Sequence, residues 1–596
     1  MAIVDAGRDR MTDSSQRSHA HDSSSAATPF VRLANYLESL VLTVACSFAV
    51  YWILKRPELI GIDDANITQV YASNIVEGHG YVYNFPGTRV EGATSLLWVL
   101  INSIAFLSAH PERMVLVAGA LSTALAVWFT RRLYALLARE SGSRWVISER
   151  WFMVVGFAAM PAFFAWGVIT LMEVGLWCAL FVAFAEVLAG YTVELARTGR
   201  IASGKWPRDI ALLVAMSLCR PESLGIAVLA LLVFVAVNAF RAPRETAIAA
   251  LRRTIGHVAT IAAAQGAITI FRVAYFGYPF PNTYYAKVSS NPFDNLKSGG
   301  RYLAIFLGDQ YLAPLFVCGL AFALVKVVLA LPEGSRRSGQ DTVYVRTLAL
   351  LAGITLCGIV IPILMGGDHF GSQRFFQPTF PLLAVFVALL LNEAVASSSL
   401  ELGKISGWLA AAASLALVAG AAVAFFDRSK LLKEFAIATE ERRVGAALTS
   451  LFPGEQKPSV GVIVAGGIHR TYQGAIYDLL ALNWVEMAHA TSRRRGFRNH
   501  SAFNPQVFWA HPPDIVTPIF VPDSASAATV HISLYLGSIE AEQRFRDAYR
   551  VVVWQTALGA YLTAFVSAKL APQLSAQTAT VIPWAQIVSV PPPPRD

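Results

Sequence analysis

The stretch GIDDANITQVYASNIVEGHGYVYNFPGTRVEGATSLLWVLINSIAFLSA, residues 61–109, decides how the chain is threaded. Its second part, 93–109, is apolar and close to the roughly 20 residues that cross about 30 Å of hydrocarbon. Charge decides whether it crosses. Arg131, Arg132, Arg139, Arg144 and Arg150 crowd the loop 131–150, and Arg197, Arg200, Lys205 and Arg208 the loop 196–208. Arg241, Arg244, Arg252 and Arg253 lie in 241–253, and Lys326, Arg336, Arg337 and Arg346 in 326–346. If 93–109 lies flat on the outer surface, all four loops share a side with the N-terminal tail, as Lys- and Arg-rich cytoplasmic loops do. If it crosses, every later loop changes side and the rule fails at each. The segment is therefore expected to be an interfacial helix on the outer side, with Trp98 at headgroup depth.

Outward from this stretch, the composition agrees. Of 596 residues, 55% are hydrophobic and 15% charged, with a mean hydropathy of +0.50. Soluble domains carry about 25% charged residues, so a soluble enzyme, a disordered chain and a fibrous one are excluded. The net charge of +9 belongs to the cytoplasmic loops rather than to a nucleic-acid surface. Apolar runs predict about eleven spans, near 36–54, 113–131, 151–167, 172–190, 209–220, 222–240, 254–275, 311–331, 347–365, 378–396 and 404–426. The run 209–220 is short for a full span. The expected architecture is a polytopic α-helical membrane protein with a C-terminal soluble α/β domain. Its parts are a disordered cytoplasmic tail (1–35), a transmembrane catalytic domain (36–426), an extracytoplasmic α/β domain (427–590) and a Pro-rich tail (591–596). SVGVIVAG (459–466), DIVTPIFV (514–521), TVHISLYL (529–536) and YRVVVWQ (549–555) read as strands of that domain. The five cysteines, Cys46, Cys178, Cys219, Cys318 and Cys357, all sit in apolar runs, so neither a disulfide framework nor a CxxC metal site is expected.

The outer loops concentrate ionisable residues near membrane depth, where charge is expensive and is by default functional. Ile67, Val70, Tyr71 and Ile75 recur at helical spacing, which predicts an amphipathic helix over 64–77 with Asp63 and Asp64 at its start. Asp is a good N-cap, so capping competes with catalysis at both positions. A carboxylate there can serve as general base on a hydroxyl acceptor, and an adjacent like charge raises one pKa towards a useful range. Arg89 and Glu91 follow in PGTRVEGATS, Glu173 in ITLMEVGLW, Arg220 and Glu222 in LCRPESL, Asn282 and Lys287 in FPNTYYAKVSS, and Asp368, His369 and Arg374 in MGGDHFGSQRFFQP. Cations among these suit a departing phosphate. Interhelical ion pairing competes for Glu173, Arg220 and Glu222. His79 and His369 lack the spacing of a metal site, so no metal ligands are assigned. No P-loop and no strand-borne GxGxxG is present. No cofactor is required by the sequence, and a divalent cation is compatible with it but unsupported.

Taken together, DDANITQVYASNIVEGHGYVYNFPGTRVEGATSLLW, the ME of LMEVGL, RPE, GYPFPNTYYAKVSS and GGDHFGSQRFFQP make the chain resemble the GT-C glycosyltransferases. Within that class it is most similar to mycobacterial terminal arabinofuranosyltransferases and related pilin arabinosyltransferases. The tail stretches AGGIHRTYQGAIYDLLALNWVEMAHA and NPQVFWAHPPDIV resemble the same family's soluble domain. The chain departs from the family pattern at Val174, where Thr is common, and at His369.

The resemblance implies transfer of a sugar, arabinofuranose first among candidates, from a polyprenyl-phosphate donor. Asp63 or Asp64 would be the catalytic carboxylate, with Asp63 ranked slightly higher because Asp64 leads into the helix. Arg89, Lys287 and Arg374 would bind the donor phosphate; Glu91, Asn282, Asp368 and His369 would bind the sugar; Glu173, Arg220 and Glu222 would support the site. The expected partners are the lipid-linked donor, a glycan, lipid or protein acceptor and membrane lipid, with no nucleic acid. The expected location is a bacterial inner membrane. Trp484, Trp509 and Tyr472 could face a glycan, although core packing is the commoner use of such residues. Two other classes compete: a carrier-lipid transporter or flippase, which needs polar residues near the bilayer midplane, and a structural subunit. Transfer of a hexose or aminoarabinose to lipid or protein is the remaining alternative.

Overall fold

A computed structural model describes residues 29–54, 61–141, 147–289, 291–330, 339–397, 407–428, 431–490, 503–523, 526–531, 536–556, 560–574 and 579–590. The expected disordered tail lies outside the described residues up to 28, and its last part is already helical, because the first long helix spans Pro29–Ile53. The Pro-rich end also lies outside them.

Every expected span coincides with a helix. Among the described residues, seven are long and apolar enough to cross a membrane: Pro29–Ile53, Pro111–Glu140, Val174–Thr198, Arg244–Phe276, Ala313–Ala330, Asp341–Leu364 and Arg374–Val395. Two further apolar helix pairs are bent at a short break, which brings the number to nine where each pair is one span. Glu149–Ala158 meets Pro161–Ile169 at 79°, at a proline that removes a backbone donor, and Ala411–Asp427 meets Leu431–Leu451 at 47°. The short run near 209–220 becomes Trp206–Cys219, and Ser223–Ala239 follows it after Arg220. The chain is a multi-pass membrane protein.

The decisive segment forms the helix Leu96–Phe106, whose 11 residues rise only about 16 Å and so do not span the hydrocarbon. Ser95 caps it by accepting from the Trp98 amide. Trp98 packs into the protein rather than standing at a free surface. It is fully buried, and its indole N–H donates to the Leu171 carbonyl at 3.0 Å.

Among the described residues, the C-terminal part carries eight strands: β1 (Val460–Val462), β2 (Ile476–Asp478), β3 (Ile515–Val521), β4 (Thr529–His531), β5 (Tyr549–Gln555), β6 (Tyr561–Ser567), β7 (Ala579–Ile582) and β8 (Val588–Val590). Six form a mixed sheet in the order β2-β1-β3-β6-β5-β7; β4 and β8 pair separately. β1 runs parallel to β2 and β3, whereas β6 is antiparallel to β3 and β5. The four strands read from sequence are β1, β3, β4 and β5. The others are too short or too weakly alternating to stand out.

One apolar core fills the helical bundle. A second unites the sheet domain with the first outer loop: Ile67, Tyr71 and Tyr83 pack in one cluster with Ile468, Leu482 and Trp484. Tyr472 and Trp484 are buried there, and Trp509 lies against Phe508 and under the Arg544 guanidinium, so these rings serve packing.

Candidate active site

The helix predicted over 64–77 spans Asp63–Val76 and opens the site. Its entry is forced by a close approach: Gly61 has φ +75°, and a Cβ there would lie 2.8 Å from the Thr170 carbonyl. Ile62 then occupies the N-cap position and makes no side-chain cap. Neither aspartate caps its own helix, which corrects the expectation that Asp64 is spent there.

The two carboxylates instead face different partners. Asp63 reaches the sheet domain, where the Gly466 amide donates to Oδ2 at 3.0 Å and the Gly467 amide to Oδ1 at 2.6 Å. The approach is so tight that a Cβ on Gly466 would stand 2.1 Å from the Asp63 carbonyl oxygen. Burial pushes the Asp63 carboxyl up to about 7 against the pull of these two amides, and Asp64 and Asp478 push in the same direction. Asp64 turns to the helical bundle: Arg374 Nη1 lies 3.2 Å from Oδ2. Burial alone would raise this carboxyl, but the charges of Lys287, Arg374 and His369 outweigh it and hold Asp64 below its ordinary value. Adjacent carboxylates are thereby pushed apart, the pattern that separates roles in acid–base sites.

Arg374 is the hub. Its Nε contacts Asp368 Oδ2, and its guanidinium lies over the Phe370 and Phe375 rings at 4.4 and 5.2 Å. Asp368 in turn accepts from the His369 amide at 2.9 Å, with His369 Nδ1 at 3.2 Å. Burial would raise Asp368, but Arg374 and then His369 hold it well below the usual carboxylate range. The backbone here is strained. Ser372 and Gln373 take φ of +57° and +44°, held by Gln377 donating to the Ser372 carbonyl at 2.6 Å and by Gln310 donating to the Gln373 side chain at 2.8 Å. Lys287 is half-buried, acts on Asp64, Asp368 and Asp478 by charge, and forms no ion pair within 4.0 Å among the described residues. Asp64, Asp368, His369, Arg374 and Lys287, predicted from three separate loops, thus converge.

Other predicted residues serve elsewhere. Glu91 is a structural anion, 2% exposed, gripped by Arg272 through Nε at 2.8 Å and Nη2 at 2.9 Å, and so closed to a sugar. Asn282 is also closed: its amide donates to the Ala481 and Leu482 carbonyls at 2.8 and 3.0 Å, tying its loop to the sheet domain. Arg89 is exposed, stacks over Tyr275 at 4.4 Å and pairs with neither aspartate. Arg220 bridges Glu173 at 3.1 Å and approaches Glu222 at 3.7 Å, and it shares the Phe375 ring with Arg374. That trio braces the loop beside the site.

Sequence reading missed the residues that hold the aspartates in place. Arg442 donates to Asn66 at 2.9 and 2.6 Å and to Gln69 at 3.1 Å, behind the aspartate helix. Tyr83 donates to the Ala465 carbonyl at 2.6 Å, just before the two glycine amides. Nothing local marks these groups. Arg272, in contrast, stands inside an apolar run, a signal of a buried partner. Among the described residues, no group of three or more His, Cys, Asp or Glu could hold a metal ion, and His79 stacks on Phe85 at 3.9 Å.

No family model matches the chain, and no curated protein matches it. Among solved structures, the chain is similar to ArnT from Cupriavidus metallidurans bound to undecaprenyl phosphate, at 13% identity and a TM-score of 0.43, covering 76% of this chain and 86% of that one. It is also similar to the Archaeoglobus fulgidus oligosaccharyltransferase in complex with Zn and sulfate, at 11% identity and a TM-score of 0.45, covering 91% and 74%. The apo form of the latter gives 13% identity, a TM-score of 0.41 and coverage of 93% and 76%.

Proposed function

We propose that this protein is a GT-C membrane glycosyltransferase that moves a sugar from a polyprenyl-phosphate donor to a hydroxyl of a cell-envelope glycan, lipid or protein on the outer side of the membrane. The resemblance of its loops favours arabinofuranose. One observation carries the reading: Asp64 shares Arg374 with Asp368 beside Lys287, a cation without an ion pair among the described residues.

In this reading Lys287 and Arg374 take the donor phosphate, and Asp368 and His369 hold Arg374 and meet the sugar. The acceptor oxygen attacks the anomeric carbon while its proton passes to Asp64. The bond from that carbon to the phosphate oxygen breaks, and its electron pair leaves on the phosphate, where the two cations stabilise it. Phosphate binding also neutralises the charges that hold Asp64 low, so the base strengthens when the donor is present. Asp63 holds the sheet domain to the site and is a positioning residue. The expected topology puts the site in the outer leaflet of a bacterial inner membrane, with residues 427–590 extracytoplasmic.

The test is mass spectrometry of products formed by the purified protein from synthetic polyprenyl-phosphate sugars of several kinds. A glycosylated acceptor that disappears with Asp64→Asn supports the reading. Movement of intact carrier lipid across the bilayer without bond formation points to a flippase instead.

A further inference from the structure

The opposite end of the bundle carries a second concentration of cations, which the proposed reaction does not use. Helix Arg244–Phe276 connects the two ends. Arg272 grips Glu91 near the outer site, and Arg253 lies nineteen residues earlier, or about 28 Å along the axis. That is the thickness of a bilayer's hydrocarbon layer, so Arg253 sits at the inner headgroup level, on the side of the Arg-rich loops.

A cavity of about 530 Å³ opens there, walled by Arg200, Ser203, Trp206, Glu245, Arg252 and Arg253. Arg253 is 5% exposed and held rigidly. Its Nη2 lies 2.6 Å from Asp209, and its guanidinium lies 4.1 Å over the Trp206 ring and 4.7 Å over Tyr191. Gly256 permits this arrangement, since a Cβ there would meet Trp206 at 2.1 Å. Yet Arg253 Nε has no hydrogen-bond partner, an incomplete state for a buried charged donor. Arg200 and Arg252 are exposed and form no ion pair among the described residues. Arg253 is balanced by Asp209, which leaves Arg200 and Arg252 against Glu245; with a hydroxyl and an indole, these suit a phosphate next to an acyl chain. Basic pockets between helices on the cytoplasmic side hold such headgroups.

We propose that this cavity binds the phosphate headgroup of an anionic lipid in the leaflet opposite Asp64. Arg200 and Arg252 supply the attraction at the cavity mouth, Arg253 and Asp209 hold Trp206 in the wall, and Trp206 covers the glycerol end. The site stands whether or not the sugar-transfer reading does.

The test is native mass spectrometry of the full-length detergent-solubilised protein titrated with dioleoylphosphatidylglycerol, dioleoylphosphatidylcholine or inorganic phosphate. The wild type should retain phosphatidylglycerol in preference to phosphatidylcholine. Each surface arginine contributes about fivefold at a charged headgroup, so Arg200→Ala with Arg252→Ala should weaken phosphatidylglycerol binding by roughly 25-fold. Ile248→Trp keeps every charge and fills the cavity from its wall, so it should weaken binding as well. Equal retention of the two lipids, or unchanged binding in both variants, overturns the site. Displacement of phosphatidylglycerol by millimolar inorganic phosphate overturns the lipid assignment in favour of free phosphate.

Discussion

Arg374 stands 3.2 Å from Asp64 although 310 residues separate them in the chain. One opens the helix Asp63–Val76 and the other opens the last of the seven long apolar helices, so the contact joins two distant loops at the site. The same arginine holds Asp368, and its guanidinium therefore sets how the two carboxylates face each other.

Asp64→Asn removes the proposed base while preserving size and the helix start. Transfer should fall by roughly 10²–10⁴-fold, the range of general-base catalysis, with unchanged membrane yield and a melting temperature lowered by loss of the Arg374 pair. A variant that keeps wild-type turnover in a radiolabelled-donor assay would remove Asp64 from the chemistry.

Asp63 behaves differently. Asp63→Asn places an amide N–H₂ against one of the two glycine amides, and losing a charged acceptor there should cost about 1–3 kcal/mol. Gly466→Ala attacks the same contact from the other side. Both variants should lower the melting temperature and speed limited proteolysis between the helical bundle and the sheet domain.

Lys287→Ala should act on the donor alone. A hydrogen bond to a charged group contributes about 1.5–3 kcal/mol, which predicts a KM for the lipid-linked sugar raised roughly 10- to 100-fold. Lys287→Arg should restore part of it. A changed acceptor KM with an unchanged donor KM would place Lys287 elsewhere.

Glu91 and Arg272 form a buried pair, so removing one partner leaves a bare charge, at about 3–5 kcal/mol. Glu91→Ala should destabilise strongly, and a combined Glu91→Leu, Arg272→Leu variant should recover much of the loss. Thermal unfolding in detergent reads both.

Stability should also follow pH with two signs. Asp63 is raised to about 7 and Asp478 to about 6, so the folded protein holds protons that the unfolded chain releases near 4. Stability from these groups is present below about pH 4 and is lost as pH rises towards 7. Asp64 and Asp368 are lowered, so their contribution is present above about pH 4 and is lost as pH falls through their folded values. Asp63→Asn should flatten the slope of melting temperature between pH 4 and 7; an unaltered slope would exclude Asp63 as its source.

Much of this was legible in the chain. Apolar runs located the helices, because hydrocarbon demands a fixed length of apolar helix, but against about eleven expected spans the described residues hold seven helices long and apolar enough to cross, or nine where each bent pair is one span. Arginine bias kept 93–109 out of the membrane count, and the helix found there has only 11 residues. Ionisable residues at the outer ends of spans pointed to Asp64, Asp368, His369, Lys287 and Arg374, since charge at that depth has few other uses. Glu91 and Asn282 satisfied the same criterion and were assigned to sugar, yet each is consumed by a partner in the fold.

Local chemistry by itself therefore determined which segments form long apolar helices and which loops carry charge, because burial cost and periodicity act residue by residue. Which carboxylate meets Arg374, which one meets the Gly466 and Gly467 amides, and which charges neutralise one another were decided only by tertiary packing. Those choices depend on distances between residues hundreds of positions apart, and hydrogen bonds in particular are lost within a few tenths of an ångström beyond contact.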